Sequence, residues 1–215
     1  MRILVTMISL LALLALAAPV QAEEHEPEEY GSLWLGPRVG PAIGFSGPRA
    51  GYLLGVVLSY QTPRYFYYNI ELGFLHLLPR TITVGATTRA ETDGSQTVLA
   101  PEHDVKVTGL YGLPMTLEVG LRYAIGRVSL RIGVGFGAML TIQTAESYDT
   151  QLSEIIMSFC FRPGIGVDLA LHDGAGQLRF DLAYLWQDAN FAITGHNRDV
   201  DSLFLTVGYS WRLLE

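Results

Sequence analysis

Of the 215 residues only one is lysine, Lys106, and only one is cysteine, Cys160. The other basic residues are scattered arginines, no basic run exists, and the net charge is −7, so the electrostatic footprint of a nucleic-acid binder is absent. A lone cysteine allows neither an internal disulfide nor a thiolate metal cluster, and Cys160 reads as a small packing residue. Charge is scarce altogether: 16% of residues against 49% apolar, with a mean hydropathy of +0.28. That is too apolar for an ordinary soluble domain. Yet beyond Tyr30 no stretch offers the roughly 18 consecutive apolar residues of a helical membrane span.

The one long apolar run follows Arg2 and extends from Ile3 to Ala18, before Pro19 and Val20-Gln21-Ala22. Small residues at these positions suit signal peptidase, so residues 1–22 are expected to be a cleaved secretory signal. Acidic residues follow the run where a membrane anchor would place a positive cluster. The residue directly after the cleavage point is Glu23 and not cysteine, so a lipoprotein is not expected. Residues 23–31 open with five acids in seven positions and read as a solvated, flexible segment.

From residue 32 to 215 the apolar residues recur with a period of two. The rows begin with Leu33, Leu35, Val39 and Ile43, continue with Tyr52, Leu54, Val56, Leu58 and Tyr60, and then with Phe66, Tyr68, Ile70, Leu72 and Phe74. A polar stretch from Pro79 to Asp104 reads as the longest loop. From Val105 to Ile125 the odd positions keep one phase, which predicts a single long strand with a bulge or an edge-like irregularity at Pro114. Gly126-Arg127 predicts a tight turn into the row Val128 to Ile142, followed by a polar loop at Thr144 to Ser153. Rows from Ile155 to Leu169, Leu178 to Trp186 and, after an Asp188–Asp201 loop, Leu203 to Trp211 complete the count.

Eight segments result, an even number, with short connections at Gln61, Gly126 and His172 alternating with longer ones; the short connection near Ser46 to Arg49 is the exception. The expected fold is all-β: one closed antiparallel up-and-down transmembrane barrel of eight strands, with its termini on the side of the short turns. Several segments exceed the roughly 9 to 11 residues that cross a bilayer, so their upper ends should stand above it. A soluble sandwich would show the same alternation. Three features favour the membrane: the signal peptide, the aromatics at strand ends, and glycines such as Gly133, Gly135 and Gly137 on the polar row, where eight strands leave little interior.

Charge placement follows the same phase. Arg38, Glu71, Lys106, Glu118, Arg122, Arg131, Arg162, Asp168, Arg179, Asp181 and Arg212 all fall opposite the large apolar row, which places them in the lumen. Counted from the inner end, Arg131, Asp168, Asp181 and Arg122 share one height and Arg38, Glu71 and Glu118 a higher one, so opposite charges share layers. The expected site is therefore a lumen charge network of Arg38, Glu71, Glu118, Arg122, Arg131, Arg162, Asp168, Arg179 and Asp181. It stabilises the barrel as a salt-bridged plug or lines a path biased towards small anions, with seven basic against four acidic residues.

The Gly-rich "GPRVGPAIGF", the strand and turn "LPMTLEVGLRYAIG", the following "IGVGFGAML" and the closing "LFLTVGYSWRL" resemble the small outer-membrane β-barrel superfamily that includes the OmpA/OmpX-type and OmpW-like barrels. The resemblance covers about residues 30 to 215 and implies location in the bacterial outer membrane, with outer-membrane lipid and the barrel insertion machinery as partners. Such barrels usually end on an aromatic residue, whereas this chain ends Trp211-Arg212-Leu213-Leu214-Glu215, with Leu213 in the aromatic slot.

No catalytic motif joins the rim candidates His76, His103, His196, Asp104, Asp201 and Ser202, and His196 precedes Asn197 and Arg198, unlike the His-x-Ser of outer-membrane lipid A deacylases. The expectation is a non-enzymatic structural or surface-interaction barrel without cofactor or metal. A narrow solute or anion channel is the alternative, and a rim lipid hydrolase a third reading.

Overall fold

Period-two alternation becomes a ring of antiparallel strands in a computed structural model of the chain. It describes residues 31–45, 49–84, 87–90, 96–100, 103–147, 150–171, 174–187 and 201–214. The expected signal peptide, nearly all of the acidic segment and most of the Asp188–Asp201 connection lie outside these residues. The described strands are β1 (Ser32–Gly44), β2 (Arg49–Gln61), β3 (Phe66–Leu77), β4 (Arg80–Val84), β5 (Thr87–Ala90), β6 (Gln96–Ala100), β7 (His103–Ile125), β8 (Val128–Ser147), β9 (Thr150–Leu171), β10 (Gly176–Gln187) and β11 (Ser202–Leu214). Eight of them close a barrel in the order β1-β2-β3-β7-β8-β9-β10-β11, sealed by the β1–β11 and β3–β7 pairings.

Alternation sets the two faces. In β1, Trp34, Arg38 and Ala42 are buried while Val39 and Ile43 are exposed. The exterior is apolar on every wall, with Leu72, Ile132 and Ile165 more than half exposed. Water would not tolerate so extensive an apolar surface, whereas a bilayer covers it. Aromatic pairs sit at both ends of this band: Tyr60–Tyr68 (ring centroids 6.5 Å apart) and Tyr209–Trp211 (5.1 Å) at the inner end, Tyr52–His76 (5.3 Å) and Phe159–Trp186 (6.5 Å) at the outer end.

Among the described residues four prolines lie within strands, and each interrupts one of its two ladders because it has no N–H to donate. The β1–β11 pairing skips the residues around Pro37 and Pro41, the β3–β7 pairing passes from Leu72↔Met115 to Leu75↔Gly112 around Pro114, and the β9–β10 pairing passes from Gly164↔Ala183 to Phe161↔Trp186 around Pro163. Gly126, with φ +58°, makes the tight turn between β7 and β8, a conformation that residues with a Cβ rarely adopt.

The outer half departs from expectation in three ways. Part of the stretch from Pro79 to Asp104 is strand: β4 continues β3 along β7, with Arg80↔Val107 and Val84↔His103, and β5 pairs with β6. The expected Thr144–Ser153 loop is a hairpin in which β8 runs to Ser147 and β9 starts at Thr150, Thr144 facing Ser153. The bulge in β7 lies between Val107 and Gly109; Pro114 stays in register opposite Met139 and interrupts only the β3–β7 ladder, as an edge-like irregularity. The extra residue reverses the phase, so Val105 and Val107 turn inward to pack with Ala145 and Val84, and Lys106 turns outward to pair with Glu146 at 3.9 Å. Lys106 is thus not a lumen residue. These three corrections share one cause. Above the lipid a strand needs no outward apolar row, so Thr81 and Thr83 give no amphipathic signal.

The walls consequently differ in height. β7, β8 and β9 have 23, 20 and 22 residues, against 13 in β1, β2 and β11 and 12 in β10. An excess of seven to eleven residues corresponds to roughly 23–36 Å of added strand length. With β4 it forms a four-stranded wing on one side of the outer mouth.

Candidate functional site: the barrel lumen

Two charge clusters lie one above the other inside the barrel. In the upper, Arg38 of β1 pairs with Glu71 of β3, and Arg162 Nη1 of β9 lies 2.9 Å from Glu71 Oε2 and 3.1 Å from Glu118 Oε2 of β7. In the lower, Arg131 of β8 reaches Asp168 Oδ2 through Nε and Asp181 Oδ1 through Nη2, both at 2.7 Å, while Arg179 Nε lies 3.3 Å from Asp168 Oδ1. Tyr67 joins the two. Its hydroxyl donates to Glu118 Oε1 at 2.5 Å and the Arg131 guanidinium lies 5.4 Å from its ring centroid, while Asn69 Nδ2 donates to Glu118 Oε2 at 3.3 Å.

Small residues make this possible. A Cβ at Gly133 would collide with the Tyr67 hydroxyl, and one at Gly120 would meet the Tyr67 ring. Without those two glycines the ring could not lie across the lumen.

Eight of the nine expected site residues are therefore brought together, in two clusters. The ninth, Arg122, faces Arg131 across the β7–β8 ladder near the inner turn, is only half-buried, and its backbone N–H donates to the Tyr65 carbonyl at 2.6 Å. Arg212 sits at the inner end with its guanidinium 5.8 Å from the Trp34 ring centroid. The two clusters thus hold four arginines and four acids; of the seven basic residues read into the lumen only Lys106 leaves it, and Arg122 and Arg212 keep the inward phase at its inner end.

Towards the outer end the lumen changes character. Ala42, Leu53, Leu75, Leu77, Leu110, Met139, Cys160, Leu185 and Phe204 form one cluster, each no more than 1% exposed. Above it lies a polar rim: Gln187 Nε2 donates to Thr141 Oγ1 (2.8 Å) and Ser158 Oγ (2.5 Å), and Asp201 accepts from the Gln187 backbone N–H (3.1 Å) and the Tyr184 hydroxyl (3.0 Å). Sequence reading missed this apolar layer and Tyr67. The signal for Tyr67 was its phase with Asn69 and Glu71. For the apolar layer it was runs such as Leu203-Phe204-Leu205, which are apolar on both faces.

The rim candidates do not converge. His76 faces outward, stacked on Tyr111 at 4.7 Å, Asp104 accepts from Thr83 on the wing at 2.7 Å, and Asp201 and Ser202 are buried in the rim. The His103 side chain and all of His196 lie outside the described residues. Among the described residues no three His, Cys, Asp or Glu gather as a metal site.

No family model matches the chain, and no curated protein matches it. Proteins of known structure do. Neisserial surface protein A (NspA) is 12% identical, with 85% of this chain and 97% of NspA covered at a TM-score of 0.51. The chain has the fold of the small outer-membrane β-barrels. This barrel is similar also to Ail, the attachment invasion locus protein of Yersinia pestis (14% identity, 86% and 99% covered, TM-score 0.44). A third is the N-terminal β-barrel domain of Pseudomonas aeruginosa OprF (11%, 85% and 99%, 0.42).

Proposed function

We propose that this chain is a non-enzymatic outer-membrane barrel whose lumen is closed and whose activity resides on its outer surface, carried by the tall wing. The observation that carries the reading is the double filling of the lumen. Balanced, mutually paired charges occupy its middle, and an apolar layer covers them towards the outside. An eight-stranded barrel has an interior just wide enough for side chains, so two complete layers leave no continuous polar path. Within the two clusters the charges balance, which supports this reading over an anion path lined there by uncompensated arginine.

The wing supports the second half. Its outer face is polar and tied strand to strand by Thr83–Asp104, Thr108–Thr144 (3.1 Å) and Lys106–Glu146. Val84, Val105, Val107 and Ala145 pack on its other face. A rigid polar sheet raised above the bilayer is a suitable platform for recognition. The similar NspA is by name a surface protein. The signal peptide supports secretory export, and insertion by the barrel insertion machinery then follows.

Planar-bilayer recording of the refolded chain tests the reading. No single-channel steps are expected; reproducible steps whose selectivity changes in Arg162→Ala would instead make the barrel a channel.

A further inference from the structure

A depression marks the apolar band of the barrel exterior on the β8–β11 side. Where the β9–β10 ladder lapses at Pro163, a groove of about 350 Å³ crosses β8 to β11, at the low end of the roughly 300–1,000 Å³ typical of small-molecule sites. The backbone of Gly133, Gly164 and Ala183, whose Cβ sides face the lumen, forms its floor. Val134, Ile165, Leu182 and Leu203 wall it, and the short Pro163 ring keeps it open. Its one polar side chain, Tyr184, donates its hydroxyl to Asp201 at 3.0 Å.

We propose that this groove holds one lipid acyl chain in preference to the rest of the barrel's circumference. The lining carries no charge, and the Tyr184 hydroxyl is already engaged, so the groove selects a pure hydrocarbon. It is continuous with an apolar band that a bilayer surrounds, where acyl chains are the abundant hydrocarbon. In the groove a chain touches floor and both walls, and dispersion gains grow with the number of contacts.

The test uses the full chain refolded into phosphatidylcholine–phosphatidylglycerol vesicles containing a small fraction of phosphatidylcholine spin-labelled at mid-chain. Paramagnetic broadening is read at the backbone amides of Gly164 and Ala183 and compared with Val56 and Ile70 on the facing wall. Severalfold stronger broadening at the groove is expected, falling to the level of the facing wall in Val134→Trp, whose outward indole fills the groove without entering the lumen. Equal broadening on both walls, or a groove preference unchanged in Val134→Trp, would overturn the proposal. So would dilution-resistant disulfide crosslinking between copies of Ile165→Cys, which would show a second copy as the occupant.

Discussion

The two halves of the lumen close the barrel by different physics. In the inner half, four arginines and four acids fix one another pair by pair, and each charge is tolerable there only because its partner is present. In the outer half, the apolar cluster from Ala42 to Phe204 gains by the area that it removes from water, and no single contact is indispensable. Removing one charged partner should therefore cost more than removing it together with its counter-charge, while truncations in the apolar layer should follow volume.

The largest effect is expected for Glu118→Ala. It takes the acceptor from Tyr67 and Asn69 and leaves Arg162 with Glu71 alone, at a cost of about 3–5 kcal/mol read by urea unfolding in lipid. Next comes Leu110→Ala, which opens a cavity in the apolar layer for about 2–5 kcal/mol and leaves the ion pairs intact. The double change Glu118→Met with Arg162→Met removes both partners and should cost much less than Glu118→Ala, lying near neutral or even stabilising by roughly 1–4 kcal/mol. A double variant as damaged as the single one would erase the distinction between the halves. The smallest effect belongs to Lys106→Ala, whose exposed pair with Glu146 is worth about 0–1 kcal/mol.

How much of this was legible depended on whether lipid imposed a rule. Along the membrane-crossing stretches a charge has only one side to face, so Arg38, Glu71, Glu118, Arg131, Arg162, Asp168, Arg179 and Asp181 could be placed by phase, and the layers of all but Arg162 and Arg179 by distance from the inner turns. Above the lipid that rule lapses. Thr81, Thr83, Thr144 and Ser153 are strand residues in water, indistinguishable by alternation from loop, and a single bulged residue at Thr108 reversed the assignment of Lys106. The apolar layer escaped for the opposite reason: Leu53, Leu185 and Phe204 are flanked by outward apolar residues, and an apolar run does not say which face is lumen. Tyr67 became legible as the link between the clusters only with Gly120 and Gly133 beside it in space.

The central claim is that the lumen is closed, and the chain carries its own reporter. Cys160, the sole cysteine, lies fully buried in the apolar layer between the charge clusters and the outer rim. The refolded protein in lipid vesicles should be treated with a small charged thiol reagent and compared with protein unfolded in urea. A closed lumen predicts no labelling of Cys160 while the barrel is folded and complete labelling once it is unfolded. Rapid labelling of the folded barrel would mean that water and solutes reach the middle of the lumen, which would contradict the account.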